Sequence, residues 1–187
     1  MRKAALIPAL LMLGTAATAQ GTNPQVEDTD GPNMVIEVAD AAGESKGTIV
    51  LDLREDLAPN HVARLVELTK EGAYDGVVFH RVIDGFMAQT GDPTGTGSGG
   101  SDLPDLKAEF NAEPHVRGTC SMARTNFPHS ANSQFFICFD DARFLDKQYT
   151  VWGKVTEGMD NVDKIKRGEP VRDPDSIVSM KVAADAA

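Results

Sequence analysis

Positive charge is scarce in this chain, where 18 lysines and arginines stand against 28 aspartates and glutamates and leave a formal net charge of -10. Such a balance repels nucleic-acid phosphates and anionic membrane surfaces, so neither is expected as a partner. Long apolar runs are lacking as well: the stretch from Ala4 to Leu13 falls well short of the about 20 residues that a bilayer crossing needs. There are only two cysteines, Cys120 and Cys138, and no histidine or acidic residue stands at ligand spacing from either, so no metal is expected. Internal repeats are absent, and one glycine-rich loop is the sole low-complexity tract. At 187 residues with 41% hydrophobic content, the chain suffices for one domain with its own core but not comfortably for two.

The start of the chain reads as a processing signal. Arg2 and Lys3 give a charged beginning, the short apolar run follows, and Ala17-Thr18-Ala19 is a small-residue cleavage site before Gln20. Residues 1–19 are therefore expected to be removed, leaving a flexible leader over residues 20–32. No cysteine follows the cleavage site, so a lipid anchor would have no attachment point. Arg2 and Lys3 are the only charged residues in the removed segment, and their loss takes the net charge from -10 to -12.

Alternation with period two dominates the rest. Strand candidates are Met34 to Val38, Thr48 to Leu53, Val77 to Ile83, Phe86 to Thr90, Gly118 to Ala123, Gln134 to Phe139, Thr150 to Val155 and Ile177 to Val182, which together read as a sandwich or barrel. Two segments switch to helical period. Pro59 to Lys70 carries Val62, Leu65, Val66 and Thr69 on one stripe, and Glu157 to Arg167 carries Met159, Val162 and Ile165. Pro59 suits a first helical turn, and Gly72 lies just past the other end. Gly95-Thr96-Gly97-Ser98-Gly99-Gly100 fits the dinucleotide pattern G-x-G-x-x-G, but it lacks the strand-then-helix context and is bracketed by Pro93 and Pro104. Asp102, Asp105 and Glu109 do not have the spacing of a calcium loop and read as a solvated edge.

The register of one hairpin matters most. In Phe79-His80-Arg81-Val82-Ile83-Asp84-Gly85-Phe86-Met87-Ala88-Gln89, a two-residue loop at Asp84-Gly85 would put Arg81 and Gln89 on opposite faces. A three-residue loop, Asp84-Gly85-Phe86 with Gly85 at positive φ, pairs Ile83 with Met87 and sets Arg81 directly opposite Gln89. The second register is expected.

This segment resembles the cyclophilins, the peptidyl-prolyl cis/trans isomerases. The resemblance continues, in the family's order, through Ser121-Met122-Ala123-Arg124, Ser133-Gln134-Phe135-Phe136-Ile137, Phe144-Leu145-Asp146 and Tyr149-Thr150-Val151-Trp152-Gly153-Lys154-Val155. It covers roughly Asn33 to Val182, and the wording Met122 to Thr125 is similar to that of the bacterial branch. The implied fold is mainly β, a closed eight-stranded antiparallel barrel capped by two α-helices, in a cyclophilin-like domain spanning residues 33–187.

The same resemblance implies an enzyme that needs no cofactor and acts on proline-containing polypeptides. Arg81 is expected to donate to the prolyl nitrogen, with Gln89 orienting its guanidinium. Phe86, Met87, Phe136 and Leu145 match the apolar seat of the proline ring. Ala123, Arg124 and Gln134 match the positions that grip the adjoining peptide, where the long Arg124 side chain can shift preference toward acidic neighbours. Phe144 and Tyr149 stand where familiar eukaryotic members carry tryptophan and histidine. Phe144 is still expected to line the pocket, but without an indole N–H to offer cyclosporin. His80 is placed at the rim and the glycine-rich loop forms a mobile wall. Cys120 and Cys138 become neighbours in the sheet, either as a disulfide or, the favoured reading, as two buried thiols. With the signal segment, the bacterial resemblance implies export to the periplasm and action there as a monomer. The alternative is a non-catalytic chaperone or binding module for proline-containing segments.

Overall fold

Along Asn33–Ala39 the side chains of Met34, Ile36 and Val38 are buried while Glu37 is exposed, and this alternation turns one face of an antiparallel sheet inward. The computed structural model describes residues 28–183, so the signal segment and most of the leader lie outside the described residues. The strands are β1 (Asn33–Ala39), β2 (Ser45–Leu53), β3 (Arg81–Ile83), β4 (Met87–Thr90), β5 (Thr119–Met122), β6 (Phe135–Cys138), β7 (Val151–Glu157) and β8 (Ser176–Val182). They form one sheet of eight in the order β3-β4-β6-β5-β7-β2-β1-β8, and every pairing is antiparallel. The sheet closes on itself through the chain just before β3. Gly76 N–H donates to Ile177 (2.7 Å), Ile177 N–H to Val77 (2.8 Å) and Phe79 N–H to Asp175 (2.9 Å). These bonds leave the sheet without a free edge at the seam.

The interior is filled from all sides, with Phe135 edge-on to both Tyr74 (5.6 Å between centroids) and Trp152 (5.4 Å). Helix α1 (Pro59–Lys70) falls on the expected residues and lays Val62, Leu65 and Leu68 on the barrel. Ala58 offers no side-chain cap, and a distant carboxylate takes that place: Glu109 accepts the backbone N–H groups of Asn60 (3.1 Å) and His61 (2.9 Å). Glu109 thus does not belong to a solvated edge. Burial works to raise its pKa, but the bonds from the His61 ring and from these N–H groups outweigh it and hold the carboxyl below its usual range.

The second helix is shorter than its period suggests. Glu157 still belongs to β7, opposite Val50, and Gly158 at φ 78° turns the chain into α2 (Met159–Asp163). Beyond it the Arg167 guanidinium takes the carbonyls of Asp163 (2.6 Å) and Ile165 (2.7 Å), and Asp175 accepts the N–H of Lys166 at 2.8 Å. Side chains therefore satisfy groups that further helical turns would have used, while Ile165 stays buried as its spacing promised. At the other end, Thr29 donates its hydroxyl to Asp52 (2.7 Å) and Pro32 accepts from Leu53 (3.0 Å), so this part of the leader is tied to β2.

Both cysteines are free and buried. Cys120 pairs with Ile137, one residue before Cys138, and joins the barrel interior, whereas Cys138 lies in a separate cluster outside it. Side chains one register step apart point to opposite faces, so the two thiols cannot meet.

Candidate active site

The three-residue hairpin loop forms as expected. Gly85 takes φ 68°, Phe86 N–H donates to Ile83 at 3.0 Å, and Ile83 pairs with Met87. Arg81 consequently faces Gln89, Gln89 faces Phe136 on β6, and Phe136 faces Ser121 on β5, giving one outward row across four strands. The parallel row through Met87 and Cys138 lies on the same face. This outer face is not wet, because the 3-10 turn Arg143–Leu145 and Tyr149 cover it, forming a second apolar cluster with Met87, Phe136, Cys138 and Ala142.

A cleft of about 480 Å³ opens on this cluster. Phe86, Met87, Ala123, Phe136, Leu145 and Tyr149 line its apolar side, and Arg81 and Gln89 line its polar side. Phe136 meets Tyr149 edge-on, with centroids 5.9 Å apart. Phe144 does not line the cleft. It is 66% exposed and its ring packs against that of Phe86, at 5.4 Å between centroids. Consecutive residues in a 3-10 turn point about 120° apart, so seating Leu145 in the cleft swings Phe144 out of it.

A second chamber of about 740 Å³ continues the first, sharing Gln89, Gly97, Ala123 and Arg124 with it and reaching Gln134, Asn132 and the exposed Phe127. Arg124 forms the bar between the chambers. Its guanidinium lies 4.6 Å above the Tyr149 ring and donates to the carbonyls of Gln148 (2.7 and 3.0 Å) and Thr125 (2.8 Å), which spends much of its donor capacity on its own chain.

The polar side is a relay. Gln134 donates to the carbonyls of Gly97 (3.1 Å) and Gly99 (2.8 Å), Gln89 donates to Gln134 (2.9 Å), and the Gln89 carbonyl oxygen is thereby left facing Arg81, 3.4 Å from one terminal nitrogen. The glycine-rich loop is a wall, as expected, but a pinned one. The buried Asp92 carboxylate accepts from the N–H groups of Thr94 (2.8 Å), Gly97 (2.6 Å) and Gly99 (3.0 Å). Burial alone would raise the Asp92 pKa, yet these donors bring it down to about 2.

Two residues at the site, Glu169 and Pro170, carry no signal in the sequence. Glu169 and Pro170 line the cleft although they lie more than eighty residues beyond Arg81, and Arg81 Nε donates to Glu169 at 2.8 Å, a firmer bond than the one with Gln89. His80 is 93% buried (7% exposed) with neither ring nitrogen hydrogen-bonded. Burial pushes its pKa down, with Asp92 opposing, so it is a neutral wall rather than an acid. Beneath Phe136 the Asp146 carboxylate, the His115 ring and the Ser121 hydroxyl follow one another at 2.9 Å, the order of a hydrolase triad. Ser121 and His115 are fully buried, and the same hydroxyl bonds the Thr150 carbonyl at 3.1 Å, so no substrate reaches it. Among the described residues, no group of three metal-ligating side chains comes together.

A closed antiparallel barrel with an outer groove, apolar on one side and holding a hydrogen-bonded guanidinium on the other, defines a class of β-barrel protein with a surface ligand cleft. The family model for the cyclophilin-type peptidyl-prolyl cis-trans isomerases matches residues 34–182. A probable peptidyl-prolyl cis-trans isomerase of Brucella suis is 49% identical over 191 aligned residues, covering 94% of this chain and 91% of that one. A peptidyl-prolyl cis-trans isomerase of Synechococcus elongatus is 42% identical, covering 76% and 94%. The crystal structure of cyclophilin AquaCyp293 from Hirschia baltica superposes with a TM-score of 0.74 at 32% identity, covering 83% of this chain and 75% of that one. The chain belongs to the cyclophilin family of peptidyl-prolyl isomerases.

Proposed function

We propose that this enzyme isomerises X-Pro bonds in exported proteins, with the proline ring seated on Phe86, Met87, Phe136 and Leu145 and with Arg81 donating to the prolyl nitrogen. Rotation about the peptide bond breaks amide conjugation at a cost of about 18 to 20 kcal/mol and leaves a lone pair on that nitrogen. A donor aimed there stabilises the twisted state more than either planar one, which is the requirement for catalysis. The observation that carries the reading is the shared outward row of Arg81, Gln89 and Phe136, which sets a permanently charged donor beside an apolar seat.

The signal-like residues 1–19 support a periplasmic site of action, and the acidic net charge argues against nucleic acid as a partner. The rival reading, a chaperone that holds proline-containing segments, draws on the exposed Phe127 and Phe144 near the groove, at 76% and 66% exposure. A proline-limited refolding assay separates the two. Acceleration at one enzyme per hundred clients is expected, and a requirement for near-equal amounts would make the protein a holder instead.

A further inference from the structure

We propose that Glu169 is the residue that positions the Arg81 guanidinium, an inference that rests on Arg81 being the donor to the prolyl nitrogen. The fold delivers Glu169 to this place. Val82 and Gly168 exchange both backbone hydrogen bonds at 2.8 Å, and Val171 N–H donates to His80 at 3.0 Å, so the segment 168–171 lies along the outer side of β3 as a short added ribbon. Arg81 therefore stands between two acceptors, Gln89 on β4 and Glu169 on this ribbon.

Distance and charge decide which acceptor governs the geometry. The Nε contact to Glu169, at 2.8 Å, has the length of a charge-assisted bond, whereas the contact to Gln89 at 3.4 Å is at the outer limit of any hydrogen bond. An Nε bond also fixes what a terminal bond leaves free. It sets the plane of the guanidinium relative to its own stem, and both terminal nitrogens stay available to Gln89 and to substrate. Without it, a side chain that is 39% exposed has several rotamers open to it, and only some of them point into the cleft. The pair is itself exposed, with Glu169 at 57%, so its contribution to fold stability is small and its effect falls on orientation.

The test uses Glu169→Ala and Glu169→Gln in the mature enzyme, with a protease-coupled assay on an Ala-Pro peptide. Glu169→Ala is expected to lower kcat about three- to tenfold with KM within twofold and the thermal midpoint unchanged. Glu169→Gln keeps an acceptor and should recover to within about twofold of wild type. The Arg81 Nε–H nuclear magnetic resonance signal, sharp in wild type, should broaden or shift in the alanine variant, a response that a merely structural role would not produce. In an Arg81→Ala background, Glu169→Ala should cost nothing further. An unchanged kcat in Glu169→Ala while Arg81→Ala is impaired would overturn the role of Glu169 alone, whereas an active Arg81→Ala enzyme would overturn the donor assignment beneath it.

Discussion

At the scale of single residues the chemistry concentrates in Arg81, whose neighbours His80 and Val82 are buried while its own head reaches the cleft. Removing a charge-assisted donor that acts only in the transition state typically costs about 2.7 to 4 kcal/mol, a hundred- to a thousandfold in rate. Arg81→Ala is expected to lose kcat on that scale and to keep its affinity for a proline peptide. Arg81→Lys should behave more like alanine than like wild type, because an ammonium has no Nε–H for Glu169 and no planar fork for Gln89. Kinetics on folded variants, checked by circular dichroism, decide the matter, and activity of Arg81→Ala within threefold of wild type would remove it from the mechanism. Arg81, Gln89 and Phe136 were legible from alternation and one turn. Phe144 was misplaced because a 3-10 turn obeys neither the strand nor the helix period.

Among the elements, the glycine-rich loop turns composition into geometry. A β-carbon at Gly99 would stand 2.2 Å from Asp92 Oδ1 and 2.7 Å from the Thr94 hydroxyl. Asp92 cannot retreat without surrendering the N–H groups of Thr94 and Gly97. Gly99→Ala should therefore displace the loop, destabilise the protein by about 1 to 3 kcal/mol and raise KM several-fold through the Gln134–Gln89 relay. Ser98→Ala, which trims only an exposed hydroxyl, serves as the control. Urea denaturation and steady-state kinetics on the two variants test this, and a Gly99→Ala enzyme indistinguishable from Ser98→Ala would mean that the loop is not pinned through Asp92. The second helix makes the complementary point. Its period runs on to Arg167, yet the helix stops at Asp163, because the nearby Arg167 side chain and Asp175 beyond it take the groups that the last turns would have used.

For the whole molecule, acid sensitivity follows from three buried histidines. Burial is the main cause that holds His61, His80 and His115 below their ordinary pKa, and the carboxylates beside His61 and His115 only partly oppose it. As pH falls below about 6.5 the unfolded chain takes up protons at these sites before the folded one does, so stability declines. The slope is at most about 1.4 kcal/mol per pH unit for each histidine. The Asp92 pKa is shifted in the same direction and carries the same sign: its contribution is intact above the ordinary aspartate range and is lost as pH falls toward about 2. Urea midpoints should fall between pH 7.5 and 5.5 with the isomerase still folded, and equal midpoints would mean that the histidines charge freely in the fold.

The sequence by itself determined the eight alternating strands, the first helix and the hairpin register that sets Arg81 against Gln89, since all of these depend on residues within a few positions of one another. Only tertiary structure decided how the barrel closes through Gly76 to Phe79, that Cys120 and Cys138 face opposite sides, that Glu109 caps a helix some fifty residues away and that Glu169 holds Arg81. The reason is physical. Alternation and turn chemistry are local, but an acceptor for an orphaned N–H or a guanidinium can come from any segment that folding brings within about 3 Å, and no spacing along the chain encodes it.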